Sequence, residues 1–401
     1  MSKYYVLLTG AKNNAGDFLI RERAIALLRR LRPDRELVNL DGWRPITDEQ
    51  LELVNGAEAL LLTGGPSVRP NMRPDIYALR PRLSDVRVPI TTLGVGWRGP
   101  TGDWALTRHA AFSPASRELL ERIREDGLRS SVRDYHTLNV LRRAGIGRVV
   151  MTGCPALYAP DVVGGFRAPE RLSTVSVSVG VRMAESAAMW RQTLALLRAT
   201  RQAFEGARVV AVFHHSTDEA FTKAYGRPTP LFEAQRRLLA WLDSEGFEHV
   251  DVSGSAESMK VQYDSSDLHV GYRVHAHIYM TSMMRPSLLL AEDSRGSALK
   301  EVLGGHIVEA IEGTPNRIAA KVGRTLRSGL WDIKAPEAIA YEAVELLKGD
   351  LEAGWCKAKN ATAAIAHHRP TMEAFVAWLP GGLLAARLRA MAPNRMRRRA
   401  K

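Results

Sequence analysis

A chain of 401 residues is too long for one small core, so two domains of ordinary size are the natural expectation. Its 45% hydrophobic and 25% charged residues exclude wholesale disorder, and two cysteines, Cys154 and Cys356, exclude a disulfide framework or a cysteine-based zinc site. The net charge of +13, from 56 Lys and Arg against 43 Asp and Glu, favours anionic partners. Part of the excess is a basic end (Arg395, Arg397, Arg398, Arg399 and Lys401), and without it the balance is too moderate for a dedicated nucleic-acid reader. No apolar run approaches the roughly 20 residues that span a bilayer. The first apolar stretch, 4–8, reads as a strand rather than a signal peptide, and the expected compartment is the cytoplasm.

Taken in order, short apolar runs alternate with amphipathic stretches. Strands are expected at 4–9, 36–40, 57–63, 89–93 and 148–152, with helices at 19–31, 48–54, 114–126 and 137–144. Ser113 and Pro114 read as the N-cap and first position of one of these helices. Residues 160–172, with Pro160, Gly164, Gly165 and Pro169, read as a linker. Beyond it come strands at 174–180, 208–213, 249–252, 268–272 and 287–291, with helices at 184–204, 231–244, 275–284 and 297–303 and a polar connection over 255–265. Such alternation means βαβ units and a parallel sheet in each half. The expected class is therefore α/β, with two doubly wound, Rossmann-like halves over 1–160 and 173–330 and a cleft between them. A helical extension over 331–401 follows, with helices at 335–348, 371–379 and 383–391. Its basic end could lie on an anionic membrane, or be a solvated tail.

Candidate chemistry sits where strands end. Thr9-Gly10-Ala11-Lys12-Asn13-Asn14-Ala15-Gly16-Asp17 is neither a dinucleotide fingerprint nor a P-loop; its Asn14 and Asp17 can cap the next helix or contact an acceptor hydroxyl. Glycine turns recur at Gly64-Gly65 and Gly94-Val95-Gly96, and Arg133-Asp134 precedes a helix either as an ion pair or with the arginine facing the cleft. In the second half Arg182 follows a strand, and Phe213-His214-His215-Ser216-Thr217-Asp218-Glu219 ends the next one. Adjacent histidines on a strand point apart, and no other ligand pair has suitable spacing, so no metal site is expected there. His214 could still reach an anion in the cleft. Most informative is Gly271-Tyr272-Arg273-Val274-His275-Ala276-His277. Arg273 is a permanent cation and His275 titrates near neutral pH; a spacing of two in an extended segment points both the same way.

Read together, these segments resemble the polysaccharide pyruvyltransferase family. The resemblance runs through Asn14-Ala15-Gly16-Asp17, Gly64-Gly65, Gly94-Val95-Gly96, Ser131-Val132-Arg133-Asp134 and Arg273-Val274-His275-Ala276, then Pro286, Asp293 and Arg295, over about residues 4–305. It departs where the chain has Cys154-Pro155 in place of Asp-Pro, and Arg295 in place of a lysine. The resemblance implies a GT-B-like fold, phosphoenolpyruvate as donor, and a sugar or lipid-linked glycan as acceptor, with no cofactor. It implies His275 as the acid–base residue, and Arg273, Arg182, Arg295 and His214 on the donor side. Asn14, Asp17, Gly64, Gly65 and Arg133 would line the acceptor side. A nucleotide-sugar glycosyltransferase of the same fold is the alternative.

Overall fold

The computed structural model describes residues 3–10, 14–99, 101–162, 164–224, 230–313 and 333–381. The first half contributes β1 (Tyr4–Thr9), β2 (Glu36–Asp41), β3 (Ala59–Thr63), β4 (Ile90–Leu93), β5 (Ser130–Val132) and β6 (Val149–Met151). β1 to β4 form one parallel sheet in the order β2-β1-β3-β4, and β5 and β6 pair in parallel beside it, joined through a Val95–Val132 bridge. The apolar runs of β1 and β3 are buried almost throughout, as expected of parallel strands covered on both faces.

The second half contributes β7 (Thr174–Ser178), β8 (Arg208–Phe213), β9 (Glu248–Asp251), β10 (Leu268–Gly271), β11 (Ser287–Ala291) and β12 (His306–Glu309). They form a second parallel sheet in the order β12-β11-β10-β7-β8-β9. Two parallel sheets interleaved with helices make this an α/β protein of GT-B-like plan.

Several segments differ from the sequence expectation: β5 was not expected, the last described helix starts at Cys356 rather than 371, and two further differences bear on the site. Residues 255–265 are not an irregular connection. They hold the helix Ala256–Asp264, capped where Ser255 Oγ accepts from the Ser258 N–H at 3.0 Å. Its buried residues Ala256, Met259 and Tyr263 follow helical spacing, diluted among polar neighbours. β12 lies beyond the last strand expected and extends the second sheet at its edge.

Past residue 332 the helix Ala338–Glu352 packs on the second half, where Ala343, Val344 and Leu347 join its core. The helix Cys356–Ala377 crosses back. Its Ile365, Met372, Phe375 and Val376 share a core with Tyr5, Leu7 and Leu28 of the first half. Tyr5 Oη donates to the Pro380 carbonyl at 2.5 Å, and Arg32 Nη1 to the Leu379 carbonyl at 3.2 Å. None of the described helices is long and apolar enough to cross a membrane. The helix expected at 383–391 and the basic end lie outside the described residues.

Candidate active site

In an open parallel sheet a crevice forms where neighbouring strands send their connections to opposite faces, at the strands' carboxyl ends. The strand orders put that point between β1 and β3 in the first sheet and between β7 and β10 in the second. The segments after β1, β3, β7 and β10 carry Asn14–Asp17, Gly64-Gly65, Val181-Arg182 and Arg273. These segments converge on one cleft of about 490 Å³.

On the first wall, Asn14 is the N-cap of the helix Ala15–Leu31; its Oδ1 accepts from the Gly16 N–H at 3.3 Å. Its Nδ2 donates to Asp17 Oδ2 at 3.2 Å, which fixes the carboxylate against the cleft. Burial raises the Asp17 carboxyl above the usual aspartate range, against the opposing pull of Asn14, Arg295, Arg273 and Arg133. Gly64, at φ +56°, backs onto the same helix: a Cβ there would meet Ile20 Cγ2 at 2.1 Å. Gly64 and Gly65 thus let the backbone after β3 close the cleft floor.

On the second wall, the Arg273 N–H donates to Ser178 Oγ at 3.0 Å, tying the end of β10 to β7. Its guanidinium is buried yet reaches the cleft, donating to Asn14 Oδ1 across it at 3.2 Å and lying 3.4 Å from His215 Nε2. Arg295 also lines the cleft, gripped on Asp293 by Nε and Nη2 at 2.7–2.9 Å. Burial works against the Asp293 carboxylate, but Arg295 overrides it and holds the group down at about 2. Glu292 faces the other way, accepting from the backbone N–H groups of Val181 and Arg182 at 3.1 Å each.

His275 does not line the cleft. It lies behind Gly16, so close that a Cβ on that glycine would fall 2.2 Å from Nδ1. Its Nε2 is buried without a hydrogen-bond partner among the described residues. Burial, and then the charges of Arg133, Arg295 and Arg273, push its pKa well below the usual histidine value and favour the neutral imidazole. His277 is bonded to Ser287 Oγ at 2.8 Å.

Three other candidates sit elsewhere. His214 is turned into the core, its Nε2 2.7 Å from Tyr263 Oη; the expectation that it reaches the cleft is corrected in favour of His215, one residue on. Arg133 is buried beside Asp134 and packs over Gly96, off the cleft wall. Arg182 lines a smaller pocket next door, of about 330 Å³, with its Nε 4.0 Å from Glu185.

The cleft also holds Arg21, Arg69 and Arg98, which sequence reasoning did not single out. Arg98 lies two residues past the Gly94-Val95-Gly96 turn after β4, and Arg69 four residues past Gly65. With Arg273 and Arg295 they face two carboxylates, Asp17 and Glu185, so the cleft suits a small, multiply anionic ligand.

A family model, polysaccharide pyruvyl transferase, matches residues 14–294. The chain belongs to that family. The match begins at the cap residue of the first wall and takes in most of both walls of the cleft, ending one residue short of Arg295, and it makes the protein a pyruvyl transferase family enzyme. No curated protein matches this pyruvyl transferase in sequence. Among solved structures, MnaA of S. aureus with UDP is 12% identical, covering 95% of this chain and 100% of that one, at a TM-score of 0.49. The wall teichoic acid polymerase TagF is 11% identical, covering 94% and 89%, at 0.42. A UDP-GlcNAc 2-epimerase of Methanocaldococcus jannaschii is 12% identical, covering 87% and 100%, also at 0.42.

Proposed function

We propose that this family member moves the pyruvyl group of phosphoenolpyruvate onto two hydroxyls of one sugar, in a cell-surface glycan or its precursor, as a cyclic ketal. The observation that carries the reading is the cleft lined by five arginines against two carboxylates, Asp17 and Glu185, with Asp17 set beside the glycine turn after β3. Phosphoenolpyruvate has a carboxylate and a phosphate, and guanidinium forks match both. In this reading Arg273 and Arg295 hold the donor, with Arg182 nearby as a further clamp. Asp17 draws the proton from the first sugar hydroxyl as its oxygen bonds to C2. A proton is delivered to the methylene carbon, which becomes the methyl group. The bond from C2 to the phosphate oxygen then breaks, the second hydroxyl adds at C2, and its proton leaves with phosphate.

In this reading the methylene proton comes from His275, which stands behind Gly16 in the structure and reaches the cleft once that wall shifts as the donor binds. Its pKa is low first because the ring is buried and then because arginines surround it. A donor anion on Arg273 and Arg295 cancels part of that field, so the imidazole accepts a proton as the donor binds. The reading puts the protein in the cytoplasm, where phosphoenolpyruvate is made, working on acceptors at the inner face of the membrane.

Purified protein given phosphoenolpyruvate and candidate sugars is expected to release one phosphate per pyruvyl group added, followed by phosphate assay and mass spectrometry. Arg273→Ala is expected to raise the donor KM by about tenfold or more. Consumption of nucleotide sugars alone, with phosphoenolpyruvate untouched, would refute the reading.

A further inference from the structure

We propose that Arg69 and Arg98 form a second anion site beside the donor cleft, built for the phosphate or diphosphate that carries the acceptor sugar. The inference rests on the pyruvyl-transfer reading and names the acceptor's chemical class. Beyond the ends of β3 and β4 the two chains pair once more, Val68 against Trp97 in parallel. The Val68 N–H donates to the Gly96 carbonyl at 2.9 Å and the Arg98 N–H to the Val68 carbonyl at 3.1 Å. That register sets Arg69 and Arg98 side by side, one residue past the bridge.

Both line the main cleft and also the adjoining 330 Å³ pocket, so a ligand can occupy the two at once. Neither guanidinium is hydrogen-bonded or ion-paired among the described residues, and Arg69 Nε is buried without a partner. Burial and then the charge of Arg98 depress the Arg69 pKa, the mark of two cations facing each other, with Asp75 pulling the other way. Of the carboxylates of the second pocket, Asp293 is gripped by Arg295 and meets Arg98 only through space, and Glu185 lies towards Arg182. An anion between the two guanidiniums would remove the repulsion and satisfy the buried Nε.

Two donor anions are already answered by Arg273 and Arg295 on the opposite wall. The pair on the first wall is therefore left for the acceptor. A phosphate seated there puts an attached sugar into the main cleft, beside Asp17 and Gly65, which line the same cavity.

The test is calorimetry on the full chain, with inorganic pyrophosphate as the probe and phosphoenolpyruvate held at saturation. Pyrophosphate is expected to bind while the donor is bound. Arg98→Ala, an exposed position whose change leaves folding intact, should weaken pyrophosphate by about tenfold or more while donor affinity changes less than about twofold. Simple competition between pyrophosphate and donor, or equal loss of both in Arg98→Ala, would overturn the second site. If donor binding fails in the unaltered chain while Arg98→Ala still loses pyrophosphate, the pyruvyl reading falls and the anion site stands. UDP and farnesyl diphosphate replace pyrophosphate in a further arm. Preference for either supports the acceptor assignment and identifies a nucleotide or lipid carrier; weaker binding of both than of pyrophosphate overturns it.

Discussion

A guanidinium as buried as that of Arg273 loses hydration that a few neutral contacts only partly replace, and its partners here are an amide and an imidazole. Asp17 lies close enough to feel this charge, yet burial still raises its carboxyl. The sign of the consequence is fixed. A carboxyl raised in the native state ionises first in the unfolded chain, so native stability falls as pH rises through its folded pKa. Asp17→Asn removes that penalty and is expected to raise the melting temperature at neutral pH in the empty protein. The same change removes the base and should lower kcat by about a hundredfold or more. In the unaltered enzyme the acid limb of kcat/KM should lie above the ordinary aspartate range and vanish in the variant. A limb that stays in place would show that another group takes the hydroxyl's proton.

Among the elements, the crossing helix Cys356–Ala377 is started by a side chain from outside it. Asp350, at the end of the preceding helix, accepts from the Lys357 and Ala358 N–H groups at 2.9 and 3.2 Å, and from His306 Nε2 at 2.8 Å. Asp350→Ala leaves all three donors buried or short of a partner, and urea unfolding is expected to show a loss of about 2–3 kcal/mol. The sequence carried most of the elements because parallel strands buried on both faces read as unbroken apolar runs. It failed where an element is short or mixed. β5 has three residues, and β12 has four and follows two glycines. The helix Ala256–Asp264 hid its apolar stripe among polar residues, and that omission misled the site: it supplies Tyr263, which draws His214 into the core and leaves His215 for the cleft. Arg273 and Asp17 were legible because they follow strands at a crossover point. Arg69 and Arg98 were not, because only the Val68–Trp97 bridge brings them together.

For the molecule as a whole, the two sheets meet through a small number of polar and packed contacts. Lys260 Nζ donates to Glu22 at 2.9 Å, the Gly99 N–H to Ser294 Oγ at 2.7 Å, and Trp104 Nε1 to Glu301 at 2.6 Å. Two glycines are pressed still closer across the halves, Gly102 on Ser297 and Gly16 on the His275 ring. Gly16→Ala demands that the halves separate or the ring move, since a carbon cannot sit 2.2 Å from Nδ1. The variant is expected to keep its secondary structure by circular dichroism, show a larger radius of gyration in small-angle scattering, and lose most turnover. An unchanged radius together with full turnover would show the contact to be dispensable. Because that ring belongs to one half and the surface sealing it to the other, the spacing of the halves sets how far water can reach it. A proton on His275 is then an internal gauge of closure, and an imidazole resonance followed by NMR would report, from a single atom, how the two sheets stand apart.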